Sequence, residues 1–159
     1  MSNLSISVYS LLIPFSDDAM LLPNASVAEL IGFEQSAPLQ NGPDWCLGIL
    51  TWRGVKVPLL SFEAVRGNPV VDIDKNSRIA ILNALGGNPK LPFFAMVTQG
   101  IPHLVQANQS IVTAVAEDTG GEGVSRKILV EGEPALIPDL DALEAMILGD
   151  AAVCAGLGI

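Results

Sequence analysis

The side-chain types that usually carry chemistry are few in this sequence and lie far apart. There is a single histidine, His103, and there are two cysteines, Cys46 and Cys154. One histidine cannot form a zinc site alone, and no cysteine or acidic residue stands at ligand spacing from it. It also lacks the acid-flanked helical context of a phosphoacceptor. A Cys46–His103 nucleophile pair would need the fold to bring the two together. We therefore interpret these residues as structural.

Two pairs of carboxylates and two glycine-rich stretches are further candidates for acid–base chemistry and for phosphate binding. Asp17/Asp18 and Asp72/Asp74 lie in turn sequence, where aspartate commonly binds backbone N–H groups. The stretches "LGGN" (85–88) and "GGEG" (120–123) do not lead from a strand into a helix, and no Lys-Ser/Thr follows them, so a phosphate loop is not indicated. No set of nucleophile, base and orienting group is found. We predict no catalytic residues, no cofactor and no metal.

Composition limits the partners that such a chain can have. Its 159 residues are 50% hydrophobic, enough for one domain with a substantial core, and carry a net charge of −9 with only 8 Lys and Arg. This charge excludes nucleic acid as a favoured partner. Charge or proline interrupts every long apolar window, so we expect no membrane insertion. The first residues lack a signal-peptide pattern, and the two distant cysteines suggest no disulfide, so we expect a cytoplasmic protein.

The elements that must position any site are mostly strands. Short apolar segments alternate with Pro, Gly, Asn and Asp, a pattern typical of an all-β barrel or sandwich. We predict short helices at 27–31, capped by Asn24 or Ser26, at 61–67, and at 140–148, capped by Asp139. Residues 117–123 are expected to form a mobile loop. Strands are predicted at 6–15, 19–23, 47–52, 55–61, 78–84, 91–97, 100–105, 111–116, 126–130 and 135–138.

The two halves of the sequence resemble each other. A shift of 78 positions places Gly54 on Gly132, so that "WRGVKVPLLSFEAV" lies on "VEGEPALIPDLDAL" with coinciding apolar positions. The earlier stretch "SLLIPFSDDAMLLP" is answered by "RIAILNALGGNPKLPFFAMV" in the same way. We predict a pseudo-repeat within one domain of residues 1–148. Its subdomains span about 5–70 and 77–148, and a weakly packed tail follows at 149–159.

Arg53 and Gly54 stand at the tip of the hairpin predicted from 47–52 and 55–61. Glycine suits the positive φ of a tight turn. The second copy has Glu131-Gly132 there, so the turn needs the glycine and not the arginine. Trp and Arg are enriched at binding hot spots, although a tryptophan at such a position more often belongs to the core. The residues alone leave two alternatives open for the tip: a surface that faces a partner, or a solvated turn beside a tryptophan of the core.

Three stretches resemble the CheW-like adaptor family of bacterial chemosensory systems. "GILTWRGVKVPLLSF" (48–62) is similar to the family pattern G-x-x-N-L-R-G-x-x-x-P-x-x-D-L, with Thr51-Trp52 replacing Asn-Leu and Ser61 replacing Asp. "LPNASVAELI" (22–31) resembles LP-x-x-x-V-x-E-I. "SRKILVEGEPALIPDLDALEAM" (125–146) resembles the closing G-x-L-x-x-L-x-D-L-x-x-L. With Trp52 and "VPLLSFE", the chain looks most like the ChpC-type members of type IV pilus systems.

This resemblance implies an all-β fold of two intertwined five-stranded SH3-like β-barrels with short helices. It implies a non-enzymatic adaptor that couples the cytoplasmic tip of a chemoreceptor to the regulatory domain of a CheA-type histidine kinase. The setting would be a pilus or twitching-motility pathway at membrane-associated chemosensory arrays. The alternative is a small ligand-binding β-barrel or enzyme with an unrecognised pocket near Cys46 or His103. The predicted protein-binding residues are Val27, Glu29, Gly48, Trp52, Arg53 and Gly54.

Overall fold

A computed structural model of the chain describes residues 8–16, 18–70, 72–108, 111–114 and 123–159. A short 3-10 helix, Asn24–Ser26, follows the second strand. The helices are α1 (Phe62–Val65), α2 (Leu140–Leu148) and α3 (Ala151–Leu157). The strands are β1 (Val8–Pro14), β2 (Ala19–Pro23), β3 (Val27–Gly32), β4 (Cys46–Trp52), β5 (Val55–Leu60), β6 (Arg78–Asn83), β7 (Phe93–Thr98), β8 (His103–Ala107), β9 (Val112–Ala114), β10 (Val124–Val130) and β11 (Glu133–Pro138).

The strands form two sheets. The six-stranded sheet has the order β8-β1-β2-β11-β10-β9, and the five-stranded sheet has the order β3-β6-β7-β5-β4. Neighbouring strands are antiparallel except for β11 with β2 and β5 with β7. The fold class predicted from the resemblance is confirmed: the chain is mostly β, with two sheets and short helices.

The two sheets follow the same plan, which the sequence repeat indicated. β8, β1, β2, β11 and β10 correspond in order to β3, β6, β7, β5 and β4. The two β-hairpins that correspond, β4-β5 and β10-β11, both turn through two residues of positive φ, at 49° and 76° in Arg53-Gly54 and at 52° and 83° in Glu131-Gly132. These values are those of a type I′ turn, whose twist matches that of the flanking strands.

Each sheet takes strands from both copies of the repeat. The segment 68–77 separates the copies, yet β1 and β2 of the first copy pair with β8 and β11 of the second. In the same way, β6 and β7 of the second copy pair with β3 and β5 of the first. The predicted limits, 5–70 and 77–148, therefore describe sequence copies, whereas each sheet is built from both.

The core has three parts. The largest lies between the sheets and takes side chains from nearly every element, including Ile13, Met20, Phe62, Phe94 and Leu143. The other two fill the barrels formed by the five-stranded and six-stranded sheets. The first is packed with Leu50, Val57, Leu59, Ile79, Ile81, Ala95 and Val97, and the second with Leu21, Ile128, Val130 and Ala135.

Two sequence predictions are wrong. Residues 27–31, predicted as a helix, belong to strand β3, in which half-buried and exposed residues alternate and which pairs with β6. The good helix formers there are overridden by strand pairing, because propensity is a weak prior. The tail, predicted to pack weakly, forms α3. Asp150 caps it by accepting from the N–H groups of Ala152 and Val153. Val153 and Leu157 are buried in the core between the sheets.

The other two helices are confirmed, each with a capping side chain. The Ser61 hydroxyl accepts from the Ala64 N–H before α1, and the Asp139 carboxylate accepts from the Ala142 N–H before α2. Gly67, with φ at 84°, ends the turn after α1. Residues 6, 7 and 115–122, which include most of the predicted loop, lie outside the described residues.

A residue in or next to each of these two helices also bonds to a turn of the other sheet, the one that does not contain the strand before the helix. Arg66, just after α1, donates from Nη1 to Asp18 Oδ2 at 2.9 Å, and Asp18 lies in the β1–β2 turn. Glu144 of α2 accepts from the N–H groups of Leu85 and Gly86 in the β6–β7 connection, at 3.0 and 2.8 Å. These contacts link the two sheets in addition to the apolar core between them.

Candidate protein-binding site

Glu29 and Trp52 lie on the two edge strands of the five-stranded sheet and meet where that sheet closes on itself. The Trp52 indole Nε1–H donates to Glu29 Oε2 at 2.6 Å. In sequence the two are 23 residues apart, and in the strand order β3 and β4 are at opposite ends. Because only a curled sheet can bring its two edges together, this hydrogen bond marks the closure of the barrel.

Arg53 joins the same carboxylate from the hairpin tip. Its Nη2 lies 3.6 Å from Glu29 Oε2, and its Cζ lies 4.7 Å from the centre of the Trp52 ring. The Arg53 side chain is 69% exposed and that of Glu29 is 37% exposed, so water screens the ion pair strongly. The guanidinium is thus held over the indole, and its exposure leaves it accessible to a partner.

Phe93 supports the cluster from inside the barrel. Its ring meets that of Trp52 edge-on, with 4.8 Å between centres and 74° between planes. Trp52 is half-buried and packs against the aliphatic side chains that fill this barrel. The sequence left Trp52 open between core and partner surface. In the structure the Trp52 ring does both: its apolar part packs against the barrel core, and its N–H donates to Glu29 at the barrel mouth.

A bulge at Ala28 aims two predicted site residues in different directions. Val27 pairs with Leu82 and Glu29 pairs with Ile81, so β3 has one extra residue between them. Bulges commonly re-aim side chains in this way. Val27 packs against the core between the sheets, while Glu29 stands at the barrel mouth. The structure therefore separates Val27 from the cluster of Glu29, Trp52 and Arg53.

The two predicted glycines hold the hairpin rather than offering side-chain contacts. Gly54, with φ at 76°, forms the second residue of the turn, and a Cβ there would meet open space. Gly48 is buried at a register shift of β4, with φ at 148°. A Cβ at Gly48 would overlap the Ala37 carbonyl oxygen. Gly48 thus allows residues 36 and 37 to lie against β4.

The side chains examined for chemistry remain apart. His103 is exposed on β8, whereas Cys46 is buried at the start of β4, and burial raises the pKa of its thiol. Asp18 is occupied by Arg66, and Asp74 accepts from the Asn76 N–H, as turn acids do. Within the described ranges, no group of three His, Cys, Asp or Glu could hold a metal ion. Asp17 lies outside those ranges.

Two cavities among the described residues lie away from the places where the alternative of a ligand-binding barrel was expected to have its pocket. One, beside Arg66 and Phe62, has about 10 Å³, the room of a single water molecule. Another, of about 320 Å³, is an open groove between the start of α2 and Leu85. Neither is lined by Cys46 or His103, the places where such a pocket was expected. Both barrels are instead filled with aliphatic side chains.

The second barrel does not repeat the cluster. The strand registers place His103, opposite Leu12, where Glu29 stands opposite Ile81 in the first barrel. Val130 and Glu131 replace Trp52 and Arg53. The aromatic ring is lost, and the basic residue at the hairpin tip is replaced by an acidic one. The two barrels therefore share a backbone plan but differ in the side chains at this place.

No helix in the described part of the chain is long and apolar enough to cross a membrane.

The fold first defines a class: a two-barrel β domain with a shared apolar core. Residues 10–146 match the family model of the CheW-like domain. Because this match covers most of the chain, the protein belongs to the CheW-like family. A solved structure described as the scaffolding protein TtCheW from Thermoanaerobacter tengcongensis is similar, with a TM-score of 0.71 and 15% identity over 88% of this chain and 89% of that one. Comparison with curated protein sequences finds no significant match.

Proposed function

We propose that this protein is a non-enzymatic signalling adaptor that couples a chemoreceptor to a CheA-type histidine kinase. Membership of the CheW-like family supports a scaffold role in chemotaxis. The observation that carries the proposal further is the cluster of Glu29, Trp52 and Arg53. A half-buried indole holds a mostly exposed guanidinium at the tip of the β4-β5 hairpin. Trp and Arg in such a setting are the residue types that dominate binding energy in protein interfaces.

The proposed partners are the regulatory domain of the kinase and the cytoplasmic tip of the receptor. The predicted site residues contribute in two ways. Glu29, Trp52 and Arg53 would contact a partner, whereas Gly48 and Gly54 would shape the strand and turn that present them. Val27 packs inward and would act by positioning β3. The protein would work in the cytoplasm, at membrane-associated arrays.

The pathway that we propose is a pilus or twitching-motility system of the ChpC type. Support comes from Trp52 at a position where the family pattern has leucine. The indole fills more of the barrel mouth than leucine would, and it adds an N–H that fixes Glu29. A receptor or kinase that fits this surface would therefore differ from one that fits a leucine-based surface.

A binding assay with matched variants tests the proposal. The purified regulatory domain of a CheA-type kinase encoded near this gene is titrated with wild type, Arg53→Gly and Glu131→Gly. Both substitutions replace the first residue of an equivalent turn, so backbone effects are matched. We expect Arg53→Gly to weaken binding by about 1–3 kcal/mol and Glu131→Gly to leave it unchanged. Absence of binding by wild type, or equal binding by both variants, would contradict the proposed site.

A further inference from the structure

The outer edge of strand β10, in the β10-β11 hairpin, is covered by the short strand β9. β9 pairs antiparallel with β10, placing Thr113 opposite Leu129 and Val112 opposite Val130. The Glu131 N–H then donates to the Ile111 carbonyl oxygen at 2.7 Å. A short extended segment thus covers the outer edge of the hairpin as far as its turn.

The equivalent edge of β4 is open at the same place. A shift of 78 positions relates Thr51 to Leu129 and Arg53 to Glu131. In a two-residue hairpin the residues that flank the turn bond to each other, so Thr51 and Arg53 direct their backbone N–H groups away from β5. Among the described residues, nothing bonds to these groups or to the Thr51 carbonyl. Both residues are exposed.

Further from the tip, at Ile49, another part of the chain does pair with the outer edge of β4. Ala37 makes a two-way bridge with Ile49, with N–H to O=C distances of 2.9 Å in both directions. The described chain does not continue along β4 as β9 does along β10, so the ladder stops before Thr51. An exposed row of free backbone groups is a ready template for another strand.

Charge indicates which strand would fit. Arg53 and Lys56 are two of only 8 basic residues in a chain of net charge −9, and both are exposed on this hairpin. Lys56 lies opposite Thr51 and forms no ion pair with any described residue. A strand added beside Thr51 would therefore meet the unpaired cation of Lys56 and the exposed guanidinium of Arg53, whose ion pair with Glu29 is screened by water. This local excess of positive charge favours acidic side chains and disfavours a second copy of this acidic chain.

We propose that the β4 edge from Thr51 to Arg53 is a strand-addition site for an extended, acidic segment of a partner protein. The segment pairs antiparallel with β4, as β9 pairs with β10. Its carbonyl oxygens accept from the two free N–H groups of Thr51 and Arg53, and one of its N–H groups donates to the Thr51 carbonyl. This inference rests on the proposed function, since it states how a partner at the Trp52–Arg53 surface is held.

One residue isolates the backbone contribution. Thr51→Pro removes the outward N–H and leaves the β4–β5 hydrogen bonds in place, since Thr51 does not bond across the hairpin. Thr51→Val keeps the N–H and a similar side-chain volume, and serves as the matched control. Against the kinase regulatory domain, we expect Thr51→Pro to bind about tenfold more weakly and Thr51→Val to bind as wild type does. Equal binding by all three, with all three folded, would overturn the proposal.

A second measurement uses the wild-type chain and does not depend on the kinase. A synthetic peptide, Glu-Ile-Val-Thr-Ala-Glu, copies residues 111–114 between two glutamates, and its control carries lysine at both ends. We expect the acidic peptide to slow amide hydrogen exchange at Thr51 and Arg53. The basic peptide should need a concentration at least about threefold higher for the same slowing. Unchanged exchange at millimolar peptide would overturn the site.

The two arms separate the possible failures. If the kinase domain does not bind wild type but the acidic peptide protects Thr51, the proposed function fails and the strand-addition site stands. If the kinase domain binds without protecting Thr51 and Arg53, the strand-addition site fails and the adaptor role stands. If wild type forms a dimer that Thr51→Pro abolishes, the occupant is a second copy, and the acidic partner segment is wrong.

Discussion

Arg66 and Glu144 occupy equivalent positions, 78 residues apart, and each holds a turn of the opposite sheet by a different chemistry. Arg66 pairs with the Asp18 carboxylate, whereas Glu144 accepts from the backbone N–H groups of Leu85 and Gly86. The charge is reversed, yet the helix contacts the same kind of turn in both cases. Both halves thus have a polar link at this place, formed by a cation in one and by an anion in the other.

Removing the Glu144 carboxylate should destabilise the protein. Glu144→Ala leaves two backbone N–H groups without their acceptor beneath α2, and we expect a loss of about 2 kcal/mol in the free energy of unfolding. Glu144→Gln keeps one acceptor oxygen and should lose about half as much. Asp141→Asn, on the exposed side of the same helix, is the control. Urea unfolding measures all three, and equal stability of wild type and Glu144→Ala would contradict the link.

The Glu29–Trp52 hydrogen bond should contribute to the stability of the first barrel. A double-mutant cycle with Glu29→Ala and Trp52→Phe isolates it, since phenylalanine keeps the contact with Phe93 but has no N–H. We expect a coupling of about 1 kcal/mol, below the usual value for a charged acceptor because Glu29 is partly exposed. The measurement is urea unfolding of wild type, both single variants and the double variant. Additive effects would show that the bond does not close the barrel.

The two turn residues with positive φ should respond differently to glycine. Glu131→Gly relieves the left-handed strain, and the Glu131 side chain makes no hydrogen bond or ion pair with a described residue, so we expect a gain of about 0.5 kcal/mol in unfolding free energy. Arg53→Gly relieves similar strain but removes the guanidinium from Trp52 and Glu29, so the two effects should offset within about 0.5 kcal/mol. Thermal unfolding of the two variants tests this, and a greater stability of Arg53→Gly than of Glu131→Gly would be unexpected.

A side chain at Gly48 should be far more harmful than one at Gly54. Gly48→Ala would push a Cβ against the Ala37 carbonyl, where little can move, and we expect a loss of about 3 kcal/mol. Gly54→Ala meets open space and should lose only the roughly 1–2 kcal/mol of a left-handed alanine. The comparison uses urea unfolding, and a smaller loss at Gly48 would mean that residues 36 and 37 can leave β4.

Burial of Cys46 gives the stability a dependence on alkaline pH. Because burial raises the pKa of this thiol in the folded state, the unfolded chain ionises first. The stability is full below the unfolded pKa, at about 8.5, and falls as the pH rises above it. We expect the difference in unfolding free energy between wild type and Cys46→Ala to shrink from pH 8 to pH 10. Cys154→Ala, at a half-buried site, is the control, and a constant difference for Cys46→Ala would contradict this.

Much of the fold could be predicted from the sequence because its signals are local. Two-residue turns with glycine, caps at Ser61 and Asp139, and alternating apolar residues each act within a few positions. The helix predicted at 27–31 was wrong because Glu29 occupies a half-buried position of β3 and so hides the alternation. The tail carried a signal that was missed, since Asp150 precedes Val153 and Leu157 at helical spacing.

The site itself could be predicted only in part. The residue types at the hairpin indicated Trp52 and Arg53, and the family resemblance indicated Glu29. Their contact depends on closure of a sheet whose edges are β3 and β4, and no local pattern encodes that distance. The open edge at Thr51 is still less visible, because it appears only when the two hairpins are compared in three dimensions.

The exchange of strands between the two sequence copies has a consequence for the surface of the chain. Each copy gives its first hairpin to the sheet of the other, with 68–77 as the connection. A domain-swapped homodimer would have the same arrangement if its two subunits were joined end to end. A homodimer would repeat every surface twice, whereas the two halves of a single chain can differ. Here one hairpin carries Trp52 and Arg53, while the other carries Glu131 and the covering strand β9. One chain can therefore offer two different faces to two different partners.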